Sequence, residues 1–142
     1  MFNMRRKAFF FPAAVLAVSF LLVSCARKLN FSASPIVPAA EGSVKIKTDK
    51  NNNHAIEIKV QHLAPAERLS PPKSTYVVWM VTEKNGTKNI GQLVSSEGFL
   101  SNALSGKLST VTSFEPVRFF ITAENDASTQ YPAANIVLET KL

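Results

Sequence analysis

Cysteine is nearly absent from this sequence, since Cys25 is the only one among 142 residues. Without a second cysteine the chain cannot form an internal disulfide, so a hydrophobic core must stabilise the fold. Histidine is almost as scarce. His54 and His62 lie at opposite ends of one predicted strand, about 27 Å apart at 3.4 Å per residue. They are too far apart to share a metal ion, and we interpret both as surface or turn residues.

Catalytic combinations are also lacking. The two aspartates, Asp49 and Asp126, fall in predicted loops, and neither has a histidine at a spacing that suggests a triad. The run Glu124-Asn125-Asp126 brings oxygen ligands together, but it lacks the alternating spacing and the glycine of a calcium loop. We expect Asx-type turns there and at 51–53. The sequence therefore predicts a protein without catalytic activity, cofactor or metal.

The N-terminal region has the layout of an export signal. Three basic residues, Arg5, Arg6 and Lys7, precede a run over 8–23 that is apolar except for Pro12 and Ser19. The run ends in Leu22-Val23-Ser24-Cys25, which resembles the signal of bacterial lipoproteins, the lipobox. That resemblance implies cleavage after residue 24 and a diacylglycerol thioether on Cys25, which becomes the acylated N-terminus.

Three other interpretations of this region compete with the lipoprotein signal. A transmembrane helix needs about twenty apolar residues, and this run is shorter and contains Pro12. The others are a secretory signal that leaves Cys25 free and a buried cytosolic helix with a core cysteine. Two or three acyl chains, palmitate among them, would hold the chain firmly on a membrane. In Gram-negative lipoproteins, an Asp directly after the lipidated cysteine resembles a signal for retention in the inner membrane. This chain has Ala26 at that position, so the resemblance implies an anchor in the outer membrane, with the domain facing the periplasm.

The charge balance excludes nucleic acid as an expected partner. From position 25 onward the chain has 13 basic and 10 acidic residues, an excess of three. No Lys/Arg cluster with interleaved aromatics occurs in that part of the sequence. Its length of 118 residues suits one domain with its own core.

The first residues after the signal predict a spacer. Residues 26–41 contain Pro35 and Pro38 and show neither helical nor strand periodicity. Together with Cys25 they form a predicted Pro/Ser/Ala tether over 25–41, which could hold the domain roughly 50 Å from the bilayer at 3.1 Å per residue. The folded domain is then predicted to span 42–142.

Period-two patterns predict strands through the rest of the chain. The strongest strand pattern is 75–83, in which both odd and even positions are apolar, and the turn dipeptide Asn85-Gly86 follows it. In the next strand Gly91 breaks the alternation and suggests a bulge. The predicted strands are 43–48, 54–62, 75–83, 88–95, 107–112, 117–124 and 135–142. Seven strands without a convincing helix predict an all-β fold, an immunoglobulin-like antiparallel β-sandwich with Trp79 as its core tryptophan; a small closed barrel is the alternative.

Several of these strands resemble the extracytoplasmic C-terminal domain of anti-sigma-K factors. The resembling residues are Tyr76 to Val81, Gly86, Gly91-Gln92-Leu93, Phe119 to Glu124, Ser128, Pro132 and Ile136-Val137-Leu138. The resemblance covers roughly 63–138 and implies the fold, a location outside the cytoplasm, and a sensing or docking role. The chain departs from the family at 124–127, where the family tends to show Glu-Pro and a glycine pair. A sigma-binding segment and a transmembrane helix are also not expected here, so sigma sequestration is not implied.

Loop aromatics are the candidates for a contact surface. Phe114, Tyr131 and Phe99 fall in predicted loops, and Phe114 and Tyr131 form a possible contact loop with Asn125 and Asp126. Core-capping positions are the alternative for each aromatic. Two functions follow: a lipid-anchored module that binds a protein of the cell envelope, or a glycan- or peptidoglycan-associated module in which Tyr131 stacks on sugars. A purely structural lipoprotein differs from the first by having no specific partner.

Overall fold

The structure, a computed structural model, describes residues 25–98 and 101–141. The predicted signal peptide over 1–24, Phe99 and the last residue of the final predicted strand lie outside these residues. The described part is built almost wholly of antiparallel strands. In chain order the elements are β1 (Ala26–Asn30), β2 (Glu41–Thr48), β3 (His54–Leu63), a 3-10 turn (Ala66–Arg68), β4 (Thr75–Thr82), β5 (Thr87–Gln92), β6 (Val94–Gly98), β7 (Ser101–Thr112), β8 (Pro116–Glu124) and β9 (Ile136–Glu139).

The strands form two sheets, with the orders β1-β2-β3-β7-β6 and β5-β4-β8-β9. Strands β2, β3, β7 and β6 follow the ABED order of an immunoglobulin sheet, and β5, β4, β8 and β9 follow the C′CFG order. The predicted β-sandwich is therefore confirmed. Nine strands are described instead of about seven: β1 and β6 are additional, and β7 begins earlier than the predicted strand.

The core lies between the two sheets and follows the alternation in the sequence. Val44 and Ile46 of β2 and Ile56 and Ile58 of β3 are buried, whereas the residues between them are half-buried or exposed. They belong to one cluster with buried side chains of the facing sheet, which are Tyr76, Val78, Met80, Phe119, Ile121, Val137 and Leu138. Burying each large apolar side chain contributes roughly 1.5–3 kcal/mol, so this cluster stabilises the fold in the absence of a disulfide.

The predicted tether is wrong over most of its length. Ala26–Asn30 is strand β1, which pairs antiparallel with β2 and places Leu29 opposite Val44. The connection to β2 also packs on the domain, since Val37 and Ala40 are buried and the Ser34 hydroxyl accepts from the backbone N–H of Val37 at 2.9 Å. The prolines stand in that connection rather than in β1, so they remove no hydrogen bond from the ladder. Strand β1 begins directly after Cys25.

The predicted bulge at Gly91 is confirmed. The register between β4 and β5 shifts from Val78–Gly91 to Trp79–Asn89. Gly91 has φ +128°, a conformation that residues with a Cβ rarely adopt. The β4–β5 turn has four residues, 83–86, and is thus longer than a two-residue hairpin. It is closed by a hydrogen bond from Thr82 N–H to the Gly86 carbonyl, and Gly86 has φ +70°. The shift turns the remainder of β5 so that Asn89 lies opposite Trp79.

Trp79 is buried, but the prediction that it lies in the inter-sheet core is wrong. It belongs to a second cluster with Val77 and Phe120, which is separate from the core cluster that contains Tyr76, Val78 and Met80. Its ring stacks on Phe120 with centroids 6.2 Å apart. Because successive residues of a strand point to opposite faces, Trp79 lies on the outer face of the β5-β4-β8-β9 sheet.

Candidate functional site

The candidate lipidation site lies at the start of the described chain. The Cys25 thiol is exposed and immediately precedes β1, the edge strand of the five-stranded sheet. Within residues 25–98 and 101–141, no helix is long and apolar enough to cross a membrane. Because β1 is paired with β2, a group attached to Cys25 would project from a sheet edge whose backbone is already fixed.

The β8–β9 connection, residues 125–135, which we call the outer loop, lies against the outer face of the β5-β4-β8-β9 sheet. Two side chains of β8 hold its C-terminal half: the Thr122 hydroxyl accepts from Trp79 Nε1 at 2.8 Å and donates to Glu124. Glu124 then accepts from the backbone N–H of Ala133 at 2.7 Å. Because Thr122 and Glu124 are both buried, this chain of hydrogen bonds satisfies polar groups that water does not reach.

The N-terminal half of the outer loop is held from β5. The Asn89 side-chain amide donates to the carbonyl oxygens of Ala127 and Thr129, each at 2.9 Å, while its oxygen accepts from Gly91 N–H. One side chain thus uses both its donor hydrogens on the loop and its acceptor on the bulge. The bulge at Gly91 is therefore coupled to the position of the outer loop.

Asp126 forms the expected Asx turn. Its Oδ1 accepts from the backbone N–H and the hydroxyl of Ser128, both at 2.8 Å, and these hydrogen bonds hold the pKa of the carboxyl below its usual value. Asp49 forms the same kind of turn with Asn51 and Asn53. The buried Glu124 carboxylate accepts from Thr122 and Ala133, while Asp126 bonds its own loop, so the acidic run does not converge on a cation. No group of three or more metal-ligating side chains occurs in the described residues.

The residues of the predicted contact loop are not brought together. Asn125, Asp126 and Tyr131 lie on the outer loop, and the Tyr131 side chain is strongly exposed, at 83%. Phe114 lies in the β7–β8 connection, at the other end of β8, where the Lys88 ammonium lies 5.4 Å from its ring centroid. The candidate contact surface is thus the outer loop with the neighbouring part of β5, and Phe114 adjoins it through Lys88.

A shallow depression accompanies this surface. It has a volume of about 550 Å³ and lies between β5 and the outer loop, lined by Lys88, Asn89, Gly91, Ser128 and Gln130 among others. Its walls supply amide, hydroxyl and ammonium donors together with backbone groups. Tyr131 follows directly in the chain, so an aromatic ring and several polar groups are near one another.

His54 differs from its sequence interpretation. It is buried, not a surface residue: its Nδ1 lies 2.9 Å from the Thr48 hydroxyl and its Nε2 lies 3.1 Å from Glu115. The ring therefore joins the ends of β2 and β3 to the β7–β8 connection. His62 is exposed, as expected.

Sequence reasoning missed a basic surface on the other side of the molecule. Five exposed lysines lie on the outer face of the β1-β2-β3-β7-β6 sheet, and we call this surface the lysine face. Its members are Lys28, Lys45, Lys47, Lys59 and Lys107. The alternation of β2 points Lys45 and Lys47 outward, and the register places Lys45 opposite Glu57. Only the pairing of four strands shows that the lysines share one surface.

Comparison with known proteins gives no match: no family model, no curated protein and no solved structure is significantly similar to this chain. The likeness to anti-sigma-K factors therefore depends on the motif residues themselves. Most of these, from Tyr76 to Val81 and from Phe119 to Leu138, lie in the β5-β4-β8-β9 sheet and its outer loop.

Proposed function

We propose that this chain is a lipid-anchored protein of the bacterial cell envelope and a non-catalytic interaction or sensing module. The observation that carries the proposal is the order of the sequence: a basic head, an apolar run, Leu22-Val23-Ser24-Cys25, and then a folded domain. Acyl chains on Cys25 would hold it in the outer membrane, facing the periplasm. An exposed cysteine at the first described position supports this assignment, because the modifying groups need no room inside the fold.

The recognition surface in this proposal is the outer loop with the adjacent part of β5. The loop is fixed by hydrogen bonds that Asn89 donates and that Glu124 accepts, so its exposed side chains are held in place before a partner arrives. Preorganisation lowers the entropic cost of association. The likeness of this sheet and loop to the extracytoplasmic domain of anti-sigma-K factors supports a sensing or docking role, with an envelope protein as the partner.

Metabolic labelling tests the anchor. Cells that express the full chain are fed an alkyne analogue of palmitate. The protein is then isolated, and the mass of its N-terminal peptide is measured by mass spectrometry. We expect label and an acylated cysteine at position 25 in the natural chain and in Ser24→Ala, which keeps a small residue before the cleavage site. Cys25→Ala should lose both. Labelling of Cys25→Ala, or an unmodified Cys25 peptide from the natural chain, would contradict the anchor.

Photo-crosslinking in living cells tests the recognition surface. A photoreactive residue replaces the exposed Gln130 on the outer loop, and a matched chain carries it at the exposed Asn51, in the β2–β3 turn. We expect a discrete protein adduct from position 130 that is absent from position 51. The same adducts from both positions, or none from position 130, would argue against a specific protein partner at this loop.

Glycan binding is the second candidate, because the strongly exposed Tyr131 directly follows Gln130, which lines a depression with polar walls. An aromatic ring of this kind can stack on the apolar face of a sugar, and the polar groups could accept and donate hydrogen bonds to its hydroxyls. Soluble peptidoglycan fragments should then change the tyrosine or tryptophan fluorescence of the natural chain but not of Tyr131→Ala. No change with any fragment would remove this candidate.

A further inference from the structure

We propose that the lysine face lies on an anionic phospholipid surface when Cys25 is anchored, so that the domain rests flat on the membrane. This inference builds on the proposed lipid anchor and adds a second, electrostatic contact. It concerns the face of the molecule opposite the outer loop. Three observations carry it: the geometry of the five lysines, their charge, and the distance from the anchor.

The register places the lysines in adjacent positions across four strands. Lys28 pairs with Lys45, which pairs in turn with Glu57, while Lys47 lies two residues further along β2. At the other end of the same face, Lys59 pairs with Lys107. Neighbouring strands are about 4.8 Å apart and residues on one face repeat about every 7 Å, so these ammonium groups form a compact array. Shallow depressions along it are lined by Lys28, Lys45, Lys47 and Lys59 and their neighbours.

The charge of this array is unbalanced. Glu41 and Glu57 occupy outward positions in the same sheet, so the lysine face carries an excess of three positive charges, equal to the excess of the whole chain from position 25. A hydrogen bond from Lys59, together with the charges of Lys59, Lys45 and Lys47, lowers the pKa of Glu57. Glu57 is therefore ionised at neutral pH and still leaves the lysines in the majority.

The position of the anchor selects a lipid surface as the occupant. Strand β1 begins at Ala26, so no flexible spacer separates Cys25 from the sheet, and Lys28 is three residues from the acylated position. Covalent connection thus places Lys28 about 10 Å along the strand from the acylated position, and the rest of the face within about 25 Å of it. Each lysine near an anionic surface gains about fivefold in favour of the bound orientation. An anchor and a basic patch together also form the two-signal arrangement of stable peripheral membrane proteins.

Flat docking would direct the outer loop away from the bilayer. The lysine face belongs to one sheet of the sandwich, and the outer loop covers the outer face of the other sheet. With the two sheets packed about 10 Å apart, the recognition surface would stand clear of the headgroups. The same orientation explains why a domain without a tether could still reach a partner.

Lysine reactivity provides a test on the natural chain. The full-length protein, isolated from membranes in detergent, is reconstituted into phosphatidylcholine vesicles or into vesicles of phosphatidylcholine and phosphatidylglycerol in equal parts. An amine-reactive acylating reagent is added outside, and each lysine is quantified by mass spectrometry. We expect modification of the five lysines of the face to fall about fivefold on the anionic vesicles at low salt. Lys73, Lys84 and Lys141, which lie outside the face, should not change, and high salt should abolish the difference.

A charge-matched pair of variants checks the same contact. The triple variant Lys45→Gln, Lys59→Gln, Lys107→Gln should lose most of the protection of Lys28 and Lys47. The control Lys73→Gln, Lys84→Gln, Lys141→Gln removes the same net charge and should keep that protection. Five of the six lysines are exposed and Lys73 is half-buried, and circular dichroism verifies that both variants are folded.

Each outcome decides the proposal separately from the anchor. Equal reactivity on the two kinds of vesicle, with an acylated Cys25 peptide, would overturn lipid docking and leave the anchor intact. An unmodified Cys25 peptide would instead overturn the proposed anchor, and the reactivity of the same chain mixed with vesicles would still decide whether the face binds anionic lipid. Protection that appears only when an acidic polysaccharide is added to neutral vesicles would overturn the lipid assignment in favour of that polymer.

Discussion

The indole N–H of Trp79 donates to the hydroxyl of Thr122 at 2.8 Å, across the pair of central strands and outside the sandwich core. The two residues are neighbours on β4 and β8, and the same hydroxyl donates onward to Glu124. The single tryptophan is thus connected through two side chains to the backbone of the outer loop at Ala133. Its environment depends on whether the loop is in place.

Thr122→Val tests this connection. Valine has nearly the same shape, but it leaves Trp79 Nε1 buried without an acceptor and removes one donor from Glu124. An unsatisfied buried polar group costs about 1–3 kcal/mol, and we expect the free energy of unfolding in urea to fall by that amount. Thr87→Val, at an exposed strand position, should change it by less than about 0.5 kcal/mol. Equal effects of the two substitutions would contradict the importance of the hydrogen bond.

Glu124 is predicted to hold the outer loop through its contact with Ala133 N–H. Glu124→Ala should therefore speed hydrogen exchange of the Ala133 amide by about tenfold or more, as expected for a charge-assisted bond of roughly 1.5–3 kcal/mol. Glu124→Gln keeps a carbonyl oxygen and should restore most of the protection. Glu139→Ala, which removes only the partner of Arg118 at a half-buried site, is the control. Amide exchange measured by NMR would refute the role if Ala133 responded alike in Glu124→Ala and Glu139→Ala.

Gly91→Ala should destabilise the fold more than Gly86→Ala. At Gly91 the backbone has φ +128° and an added Cβ would lie 3.2 Å from Leu108 Cδ1, whereas Gly86 has φ +70° and open space around it. A strained backbone of the first kind costs on the order of 1–3 kcal/mol. Thermal unfolding of the two variants beside the natural chain measures the difference. A smaller loss for Gly91→Ala would show that the bulge relaxes without cost.

Because the Tyr76 phenol is buried, we expect the folded domain to lose stability at alkaline pH. Burial raises its pKa from 10.0 to about 12, with a smaller contribution from Glu67, and its hydroxyl donates to the Ala64 carbonyl at 2.7 Å. The folded state therefore favours the protonated phenol. That stabilisation is fully present below pH 10 and is lost as the pH rises from 10 toward 12.

Urea unfolding at a series of pH values from 9 to 12 checks this dependence. Tyr76→Phe should lose about 1 kcal/mol at neutral pH from the missing hydrogen bond, and its stability should fall less steeply above pH 10. Tyr131→Phe, on an exposed ring, is the matched control and should keep the natural profile. An unchanged alkaline slope in Tyr76→Phe would disprove the assignment.

The strands were predictable because alternation records which side of a sheet is buried. Val44, Ile46, Ile56 and Ile58 mark the core face of β2 and β3 without reference to any partner. The direction of Trp79 was not predictable in this way. β4 is apolar at both odd and even positions, so the pattern does not say which set faces the opposite sheet. Trp79 packs with Phe120 and bonds Thr122, which are more than forty residues away in the sequence.

The edges and surfaces were the least predictable features. Strand β1 has one inward apolar residue, Leu29, and forms because β2 offers a free edge, which is a tertiary property. Likewise the lysine face depends on the alignment of four strands. The sequence shows each lysine as an ordinary solvated residue, and only the register makes them neighbours. Of the predicted contact loop, Asn125, Asp126 and Tyr131 lie in the β8–β9 connection, while Phe114 lies in the β7–β8 connection.

The absence of a spacer between Cys25 and β1 has a mechanical consequence for an anchored chain. Force applied between the membrane and a partner on the outer loop would enter the domain at the first residue of β1. That force would reach the rest of the domain through the antiparallel hydrogen bonds of the five residue pairs that join β1 to β2. The edge strand would thus transmit force from the anchor to the sandwich.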